Sequence, residues 1–218
     1  MQKRDKLRMA VFVSGGGTNL QSILDACEAG TILCEVVVVV SNNPEAYGLK
    51  RAKRHGVPTV ALDHQRYASR EDHEKAIIAA ITGHEPEVAV LAGYMRVITP
   101  VLIDHFYDRR NDRPGVINIH PADTRQYQGA HGYEFAMGLL KKHPERLSET
   151  RITVHFVDAG VDTGPIIAQR PVPVLPEDSI DDLRDRGLAV EHQLFPEALD
   201  LYARGKISLA DGQVRTEE

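Results

Sequence analysis

Met9-Ala10-Val11-Phe12-Val13 runs without interruption into Ser14-Gly15-Gly16-Gly17-Thr18-Asn19-Leu20, and this junction decides the fold. Five apolar residues in a row read as a buried strand and the glycines as a tight turn. Leu20, Ile23, Leu24 and Cys27 then fall on one face of a helix that Gly30 stops. Working outward, Cys34–Val40 holds five consecutive valines, Val36 to Val40. A run with no polar alternation belongs to a central strand covered on both faces. Ser41-Asn42-Asn43-Pro44 turns the chain, a helix is expected over Tyr47–His55, and Pro58–Leu62 follows as a third strand. Arg70–Thr82 reads as a helix with Ala76, Ile77, Ala80 and Ile81 inward. Val88–Leu91 and Val116–Ile119 read as further strands, with Thr99-Pro100 opening a helix between them. Strands alternating with helices signal βαβ units, hence an α/β class with a mostly parallel central sheet flanked by helices.

The second half is less regular. A polar loop, Ala122–Gly129, leads to a helix expected near His131–Lys141. Thr153–Val157 and Pro165–Val174 are expected strands, and the prolines at 171, 173 and 176 suit a sheet edge. From Asp178 the pattern is helical to about Arg204, with Pro196 marking a break or kink, and the tail from Lys206 has room for a strand or two. No repeat, low-complexity tract or linker interrupts the chain. The simplest organisation is one domain over residues 1–218, with a phosphate-binding half at about 9–115 and a catalytic half at about 116–207.

Hydrophobic residues make up 42% and charged residues 26% of the chain, the balance of a globular domain that buries its core without disulfide or metal staples. A formal charge of −5 offers no general basic face for nucleic acid, so any anion site must be built locally. The two cysteines, Cys27 and Cys34, form neither a disulfide framework nor a metal pair, which points to a reducing compartment. The basic start, Met1 to Arg8, is followed by only five apolar residues, shorter than the roughly 7–15 of a signal-peptide core. No stretch approaches the ~18 apolar residues of a membrane span. A cytoplasmic location follows as the expectation.

Ser14 to Leu20 sits where α/β folds bind anions, because free backbone N–H groups and the positive end of a helix dipole converge there. Gly15, Gly16 and Gly17 let the backbone approach an oxyanion, and Thr18 or Asn19 can add side-chain donors while capping the helix. The Gly-Lys-Ser/Thr of a nucleotide loop is absent. A dinucleotide loop wants glycine where Leu20 stands and an acid where Ser41 and Asn42 stand. A single phosphate monoester remains as the ligand reading, and a glycine turn without a ligand accounts for the same residues.

Asn118-Ile119-His120-Pro121 ends the fifth strand, so Asn118 and His120 share one face while Ile119 packs the other way. Val161-Asp162-Thr163-Gly164-Pro165 forms a tight turn able to present Asp162 to the same region. The trio suits acyl transfer to an amine without a covalent enzyme intermediate. Asn118 and a protonated His120 would donate to an oxyanion. Asp162 would favour the imidazolium, orient it and accept a proton from the amine. A strand-capping histidine and a turn-holding aspartate remain the plainer reading. A serine hydrolase would need a Gly-x-Ser-x-Gly elbow, and zinc would need His-x-His, His-Glu-x-x-His or a cysteine pair; none is present, and His131 and His155 read as structural or supporting groups.

Taken in order, these segments resemble the phosphoribosylglycinamide formyltransferases. The likeness rests on Ser14–Gln21; on Val40–Asn43, Ala46–Leu49 and Gly56-Val57-Pro58; on Val90-Leu91-Ala92-Gly93-Tyr94-Met95-Arg96-Val97-Ile98-Thr99-Pro100; on Asn118–Pro121, Thr153–Val157 and Asp162–Ile167; and on Glu191-His192 through Pro196. It runs from about Met9 to Ile207. The resemblance implies a Rossmann-like formyltransferase fold that uses 10-formyltetrahydrofolate as formyl donor, needs no metal and serves purine biosynthesis. It makes Asn118, His120 and Asp162 the catalytic set, and gives Gly15 to Asn19 the substrate phosphate, with Gly17, Thr18 and Asn19 foremost. Glu191 would lie near the ribose or glycinamide end. Arg70 would meet the folate tail, and Met95, Arg96, Val97 and Ile98 would line the pterin pocket with the turn from Asp158 to Val161. Small molecules are the implied partners, with no nucleic acid and no membrane, and a homodimer is compatible with the resemblance.

One stretch departs from the family pattern. After His120-Pro121 the family carries Ser-Leu-Leu-Pro before an aromatic and a glycine, whereas here Ala122-Asp123-Thr124-Arg125-Gln126-Tyr127-Gln128-Gly129 keeps only the spacing, the tyrosine and the glycine. Because that loop borders the acceptor amine, a formyltransferase for another amino-sugar acceptor stays open, as does a non-catalytic phosphate- or folate-binding module. The nearest rival, with the same Asn, His and Asp, is a formyltetrahydrofolate deformylase.

Overall fold

The computed structural model describes residues 6–216. Its centre is a seven-stranded sheet in the order β3-β2-β1-β4-β5-β6-β7. The strands are β1 (Leu7–Val13), β2 (Cys34–Ser41), β3 (Thr59–Ala61), β4 (Val88–Leu91), β5 (Val116–His120), β6 (Glu149–Phe156) and β7 (Ile166–Pro173). β1 to β5 pair in parallel, and β6 lies antiparallel to both β5 and β7, so β6 alone runs against the rest. The mostly parallel α/β sheet expected from the alternation is therefore present. Pro171 and Pro173 lie on β7, at the sheet edge, where a missing N–H costs no ladder bond.

Two helical layers follow from the pleat. Met9, Val11 and Val13 point to one face, where α1 (Thr18–Glu28), α2 (Tyr47–Arg54), α5 (Gly132–Ala136) and α6 (Ile180–Ala203) cover them. Ala10 and Phe12 point to the other, under α3 (Arg70–Ile81) and α4 (Pro100–His105). Every residue of β1 from Met9 to Val13 is fully buried, which is why its sequence shows no polar alternation. Phe12→Ala would cost about 3–5 kcal/mol through the cavity it leaves. Cys27 packs against the first of these cores, and burial pushes its thiol up to about 11, so it behaves as a small hydrophobe.

Several boundaries differ from the sequence expectation. The helix expected over 131–141 stops at Ala136, because Gly138 adopts a left-handed φ of 69° that breaks the turn. α6 continues unbroken through Pro196, which lies buried between Phe195 and Ala198; the core contact of that face holds the helix across the missing N–H. On α3 the inward face carries His73 and Glu74 beside Ile77 and Ile81, while Ala80 is exposed and Ala76 half-buried. The reason is polar: Glu74 meets hydrogen-bond donors at the start of α4, and His73 Nε2 lies 2.9 Å from the Leu62 carbonyl oxygen. β5 extends one residue further than expected, through His120, and the tail forms a hairpin of β8 (Ile207–Ala210) and β9 (Gln213–Thr216). Within the basic start, residues 1–5 lie outside the described residues, as do 217–218 of the tail. Among the described residues no helix is long and apolar enough to cross a membrane.

Candidate active site

The carboxyl ends of β1, β4 and β5 meet at the sheet centre, and two adjoining cavities open there. The smaller, about 240 Å³, is lined by Ser14 to Asn19 with Ala92, Gly93 and Met95. Its floor is the turn between β1 and α1. Gly17 is the helix N-cap in a left-handed conformation (φ 70°), and a Cβ there would stand 2.7 Å from the Gly48 Cα on α2. Glycine is required at that position on both counts. The neighbouring backbone is tied in place by Gly48 N–H donating to Gly15 O (2.9 Å) and Arg51 Nε donating to Gly16 O (2.9 Å). No side chain caps α1, so the expected capping by Thr18 or Asn19 is not what forms. Asn19 instead donates through Nδ2 to Glu191 Oε2 at 2.6 Å, and Tyr133 Oη donates to Glu191 Oε1 at 2.7 Å. The buried Glu191 thereby links α6 to the glycine turn, and the opening of α1 keeps its N–H groups and positive dipole end facing the cavity.

The larger cavity, about 550 Å³, shares Gly93 and Met95 with the smaller. It is lined by Met95, Arg96, Val97 and Ile98, by Gly160 and Val161, and by Asn118, His120 and Asp162. Among its lining residues Met95, Val97 and Val161 are large apolar side chains left exposed (76%, 46% and 47%), so the cavity is bordered by exposed apolar surface. A cavity of this size with an apolar border and a few convergent polar groups fits a drug-sized heterocyclic ligand.

Among the polar groups of this cavity the carboxylate of Asp162 is the hub. Asp162 lies on the turn between β6 and β7 with φ 52°, a strained value for a non-glycine residue. Its Oδ2 accepts from the Gly129 N–H at 2.9 Å and stands 3.5 Å from His120 Nδ1. Its Oδ1 accepts from Asn118 Nδ2 at 3.3 Å and lies 3.4 Å from His155 Nε2. Asn118 and His155 are cross-strand partners on β5 and β6, with Nδ2 and Nε2 3.2 Å apart. Burial works against ionising Asp162, but the His155 hydrogen bond, the positive charge His120 carries at the acid pH where Asp162 titrates, and the Gly129 N–H outweigh it and hold its pKa down to about 2. Burial dominates at His120 and lowers its pKa from 6.5, although Asp162 pulls the other way. The expected protonated His120 is therefore corrected: desolvation leaves a neutral imidazole beside an ionised carboxylate. Among the described residues its Nε2 is buried without a hydrogen-bond partner.

The loop that departs from the family pattern is tied down by its own polar contacts. The buried Asp123 accepts from Arg125 through both oxygens (3.0 Å each) and from Gln169 Nε2 (3.0 Å). Gln169 Nε2 also donates to Thr153 Oγ1 at 2.8 Å, and Thr153 Oγ1 donates to Ala122 O at 2.7 Å. Tyr127 stacks on Phe135 of α5, with ring centroids 4.4 Å apart. The loop thus delivers Gly129 to Asp162 from a fixed position.

Of the residues singled out from sequence, Asn118, His120 and Asp162 come together, as do Gly15 to Asn19 with Glu191. Met95 to Ile98 and Val161 line the larger cavity. Two are not brought to it. Arg70 is exposed on the first turn of α3, and Asp158 turns its Oδ1 onto Thr163 Oγ1 (2.6 Å) and the Gly160 N–H (3.0 Å), bracing the turn that carries Asp162. His155 takes the supporting place beside Asp162 that the sequence left open to it, while the contacts of Tyr133 and Gly129 depend on strand pairing and loop path, which no local pattern reports. Among the described residues no group of three or more His, Cys, Asp or Glu is placed to hold a metal ion.

The family model described as formyl transferase matches residues 7–199. Phosphoribosylglycinamide formyltransferase of Escherichia coli (strain K12) is 36% identical over 203 residues, covering 93% of this chain and 90% of that protein. The trifunctional purine biosynthetic protein adenosine-3 of Drosophila melanogaster is 38% identical over 207 residues, 94% of this chain, which spans only 14% of that longer protein. Among solved structures, glycinamide ribonucleotide transformylase 1 from Symbiobacterium toebii superposes with a TM-score of 0.89 at 38% identity, covering 98% of this chain and 95% of that one. The strand order, the paired cavities at the strand tips and these similarities agree, and the chain belongs to the formyl transferase family.

Proposed function

We propose that this protein transfers a formyl group from 10-formyltetrahydrofolate to the glycinamide amine of 5-phosphoribosylglycinamide, a step of purine biosynthesis. One observation carries the reading: a smaller glycine-lined cavity at the start of α1 and a larger cavity bordered by apolar side chains share Gly93 and Met95, and Asn118, His120 and Asp162 line the larger. A phosphate held by Gly15, Gly16, Gly17, Thr18 and Asn19 fixes one end of the acceptor, and Glu191 beneath them suits its ribose or amine end. The larger cavity suits the donor, with Met95, Arg96, Val97, Ile98 and Val161 around its ring and Arg70 further out toward its tail.

The chain's own residues then account for the chemistry. The donor brings the formyl group as an N-acyl carbonyl, a good electrophile once its oxygen is stabilised. Asn118 Nδ2 supplies a fixed donor for the negative charge that develops there. His120, neutral and lining the larger cavity with Nδ1 toward Asp162, takes the proton of the attacking amine. The imidazolium so formed is stabilised by the ionised Asp162 and can return the proton to the leaving nitrogen. His155 and the Gly129 N–H hold Asp162 in place throughout.

A deformylase would use water and have no need of a phosphate cradle adjoining the donor cavity, which favours the transferase. The reading treats the chain as one domain working in the cytoplasm on small molecules, with every proposed group supplied by a single chain; a homodimer is compatible with it. Turnover of the donor measured across phosphorylated and unphosphorylated acceptors tests the reading, which expects the phosphate to be required for an efficient reaction.

A further inference from the structure

Glu74 is a buried carboxylate that the proposed chemistry leaves unused. It sits on α3, 4% exposed, and faces the end of the segment that walls the larger cavity. Its Oε1 accepts from the Thr99 N–H at 2.8 Å. Its Oε2 accepts from the Thr99 hydroxyl at 2.6 Å and from the Leu102 N–H at 3.1 Å. Those backbone donors open α4, so Glu74 caps one helix from the flank of another. A carboxylate is buried only at a cost, and burial raises the pKa of this one; three converging donors offset part of that cost.

What lies next to the cap gives it meaning. Residues 95–98 form neither helix nor strand, and Met95 and Val97 are largely exposed. A short irregular segment with few buried contacts does not hold one shape by itself. Here both ends are pinned. At the first end the Met95 N–H donates to Ser14 Oγ at 2.8 Å, and Ser14 Oγ donates to Asn42 Oδ1 at 2.6 Å, tying the segment to the turn after β2 and to the start of the glycine turn. At the other end Thr99 is held by Glu74, with Ile98 buried against the same core as Tyr94 and Leu102.

We propose that Glu74 is a positioning residue for the formyl donor: acting through Thr99, it fixes the Met95–Ile98 wall in the shape that grips the donor's ring, with Ser14 as the opposite pin. The proposal rests on the formyl-transfer reading. It assigns Glu74 to donor binding, because Glu74 holds the Thr99 end of the segment, whereas Met95, which also lines the smaller cavity, is pinned by Ser14, and the Asn118–His120–Asp162 cluster sits on other elements.

Glu74→Gln tests it, since an amide NH₂ would then oppose the hydroxyl and N–H donors that now point at Oε2. Thr99→Val is a milder variant that removes one donor and keeps the volume. In Glu74→Gln the donor KM should rise about tenfold, and in Thr99→Val about threefold, with kcat and the acceptor KM changed by less than about twofold. Hydrogen exchange of the amides at 95–99 should quicken about tenfold while those of β5 stay protected. An unchanged donor KM in folded Glu74→Gln, or equal shifts of all three kinetic parameters, would overturn the assignment; should that variant not fold, Thr99→Val decides by the same readings. The exchange arm separates the two claims. Unchanged exchange at 95–99 defeats the role of Glu74, whereas a wild-type protein inactive toward donor and acceptor defeats the formyl-transfer reading.

Discussion

Asp162 lies 3.5 Å from the Nδ1 of His120, on a turn far away in sequence, with its own backbone held at φ 52° to make the approach. The strain at Asp162 and the burial of His120 are both costs that the fold carries at one point, the pattern expected where side chains act on a ligand.

Removing either partner should therefore stop the chemistry while leaving the fold. His120→Ala and Asp162→Ala are each expected to lower kcat by ~10²-fold or more, as for lost general acid–base groups. Steady-state donor turnover measures this, with circular dichroism as the control. Near-normal rates in both variants would remove the mechanism.

The pH profile carries a signed prediction. The pKa of His120 is lowered from 6.5 by burial, so the neutral imidazole persists below that pH, and the acid limb of kcat/KM should lie below 6.5. Stability runs in the same direction. Both groups are depressed in the folded protein, so the unfolded chain binds more protons as the pH falls. Stability is full above pH 6.5, declines below it through His120, and declines again from 3.8 toward about 2 as Asp162 protonates. Burial depresses His73 and His105 in the same direction, so the His120 share is read as the difference between urea midpoints of the wild type and His120→Ala across this range; a difference of opposite slope would make His120 a buried cation.

Gly17→Ala should act on the acceptor alone. The substitution strains a left-handed residue and presses a methyl onto Gly48, so a loss of about 1–3 kcal/mol in stability is expected. The acceptor KM should rise while the donor KM holds, because only the smaller cavity contains this turn. Equal changes in the two KM values would break the division of labour between the cavities.

Asp123→Ala tests the loop that departs from the family pattern. Its loss frees Arg125 and Gln169 together and loosens the path that brings the Gly129 N–H to Asp162. A fall in kcat of about tenfold is expected, as for a small displacement of a catalytic group, with little change in either KM. A variant with wild-type kcat would show that the loop's polar ties are incidental to Asp162.

The parts legible from sequence are those governed by local rules. The glycine turn and the valine strand declare themselves, because turn chemistry and the absence of polar alternation are short-range signals. The shared face of Asn118 and His120 follows from a period of two along β5. His155 does not, because its position opposite Asn118 depends on an antiparallel pairing that no single strand encodes. Glu74 was hidden for a related reason: helical period favoured the alanine face of α3, and only the donors at the start of α4 explain why a carboxylate turns inward instead. The charge state of His120 was misread because a neighbouring carboxylate is visible in the motif and desolvation is not.

The central claim is that the donor's formyl group goes to an amine held by its phosphate, and one assay addresses it directly. Donor turnover should be rapid with phosphoribosylglycinamide, with the formyl group recovered on the acceptor, and should fall to a trace when the acceptor is left out. Release of formate at the same rate with and without the acceptor would contradict the account and make the protein a hydrolase.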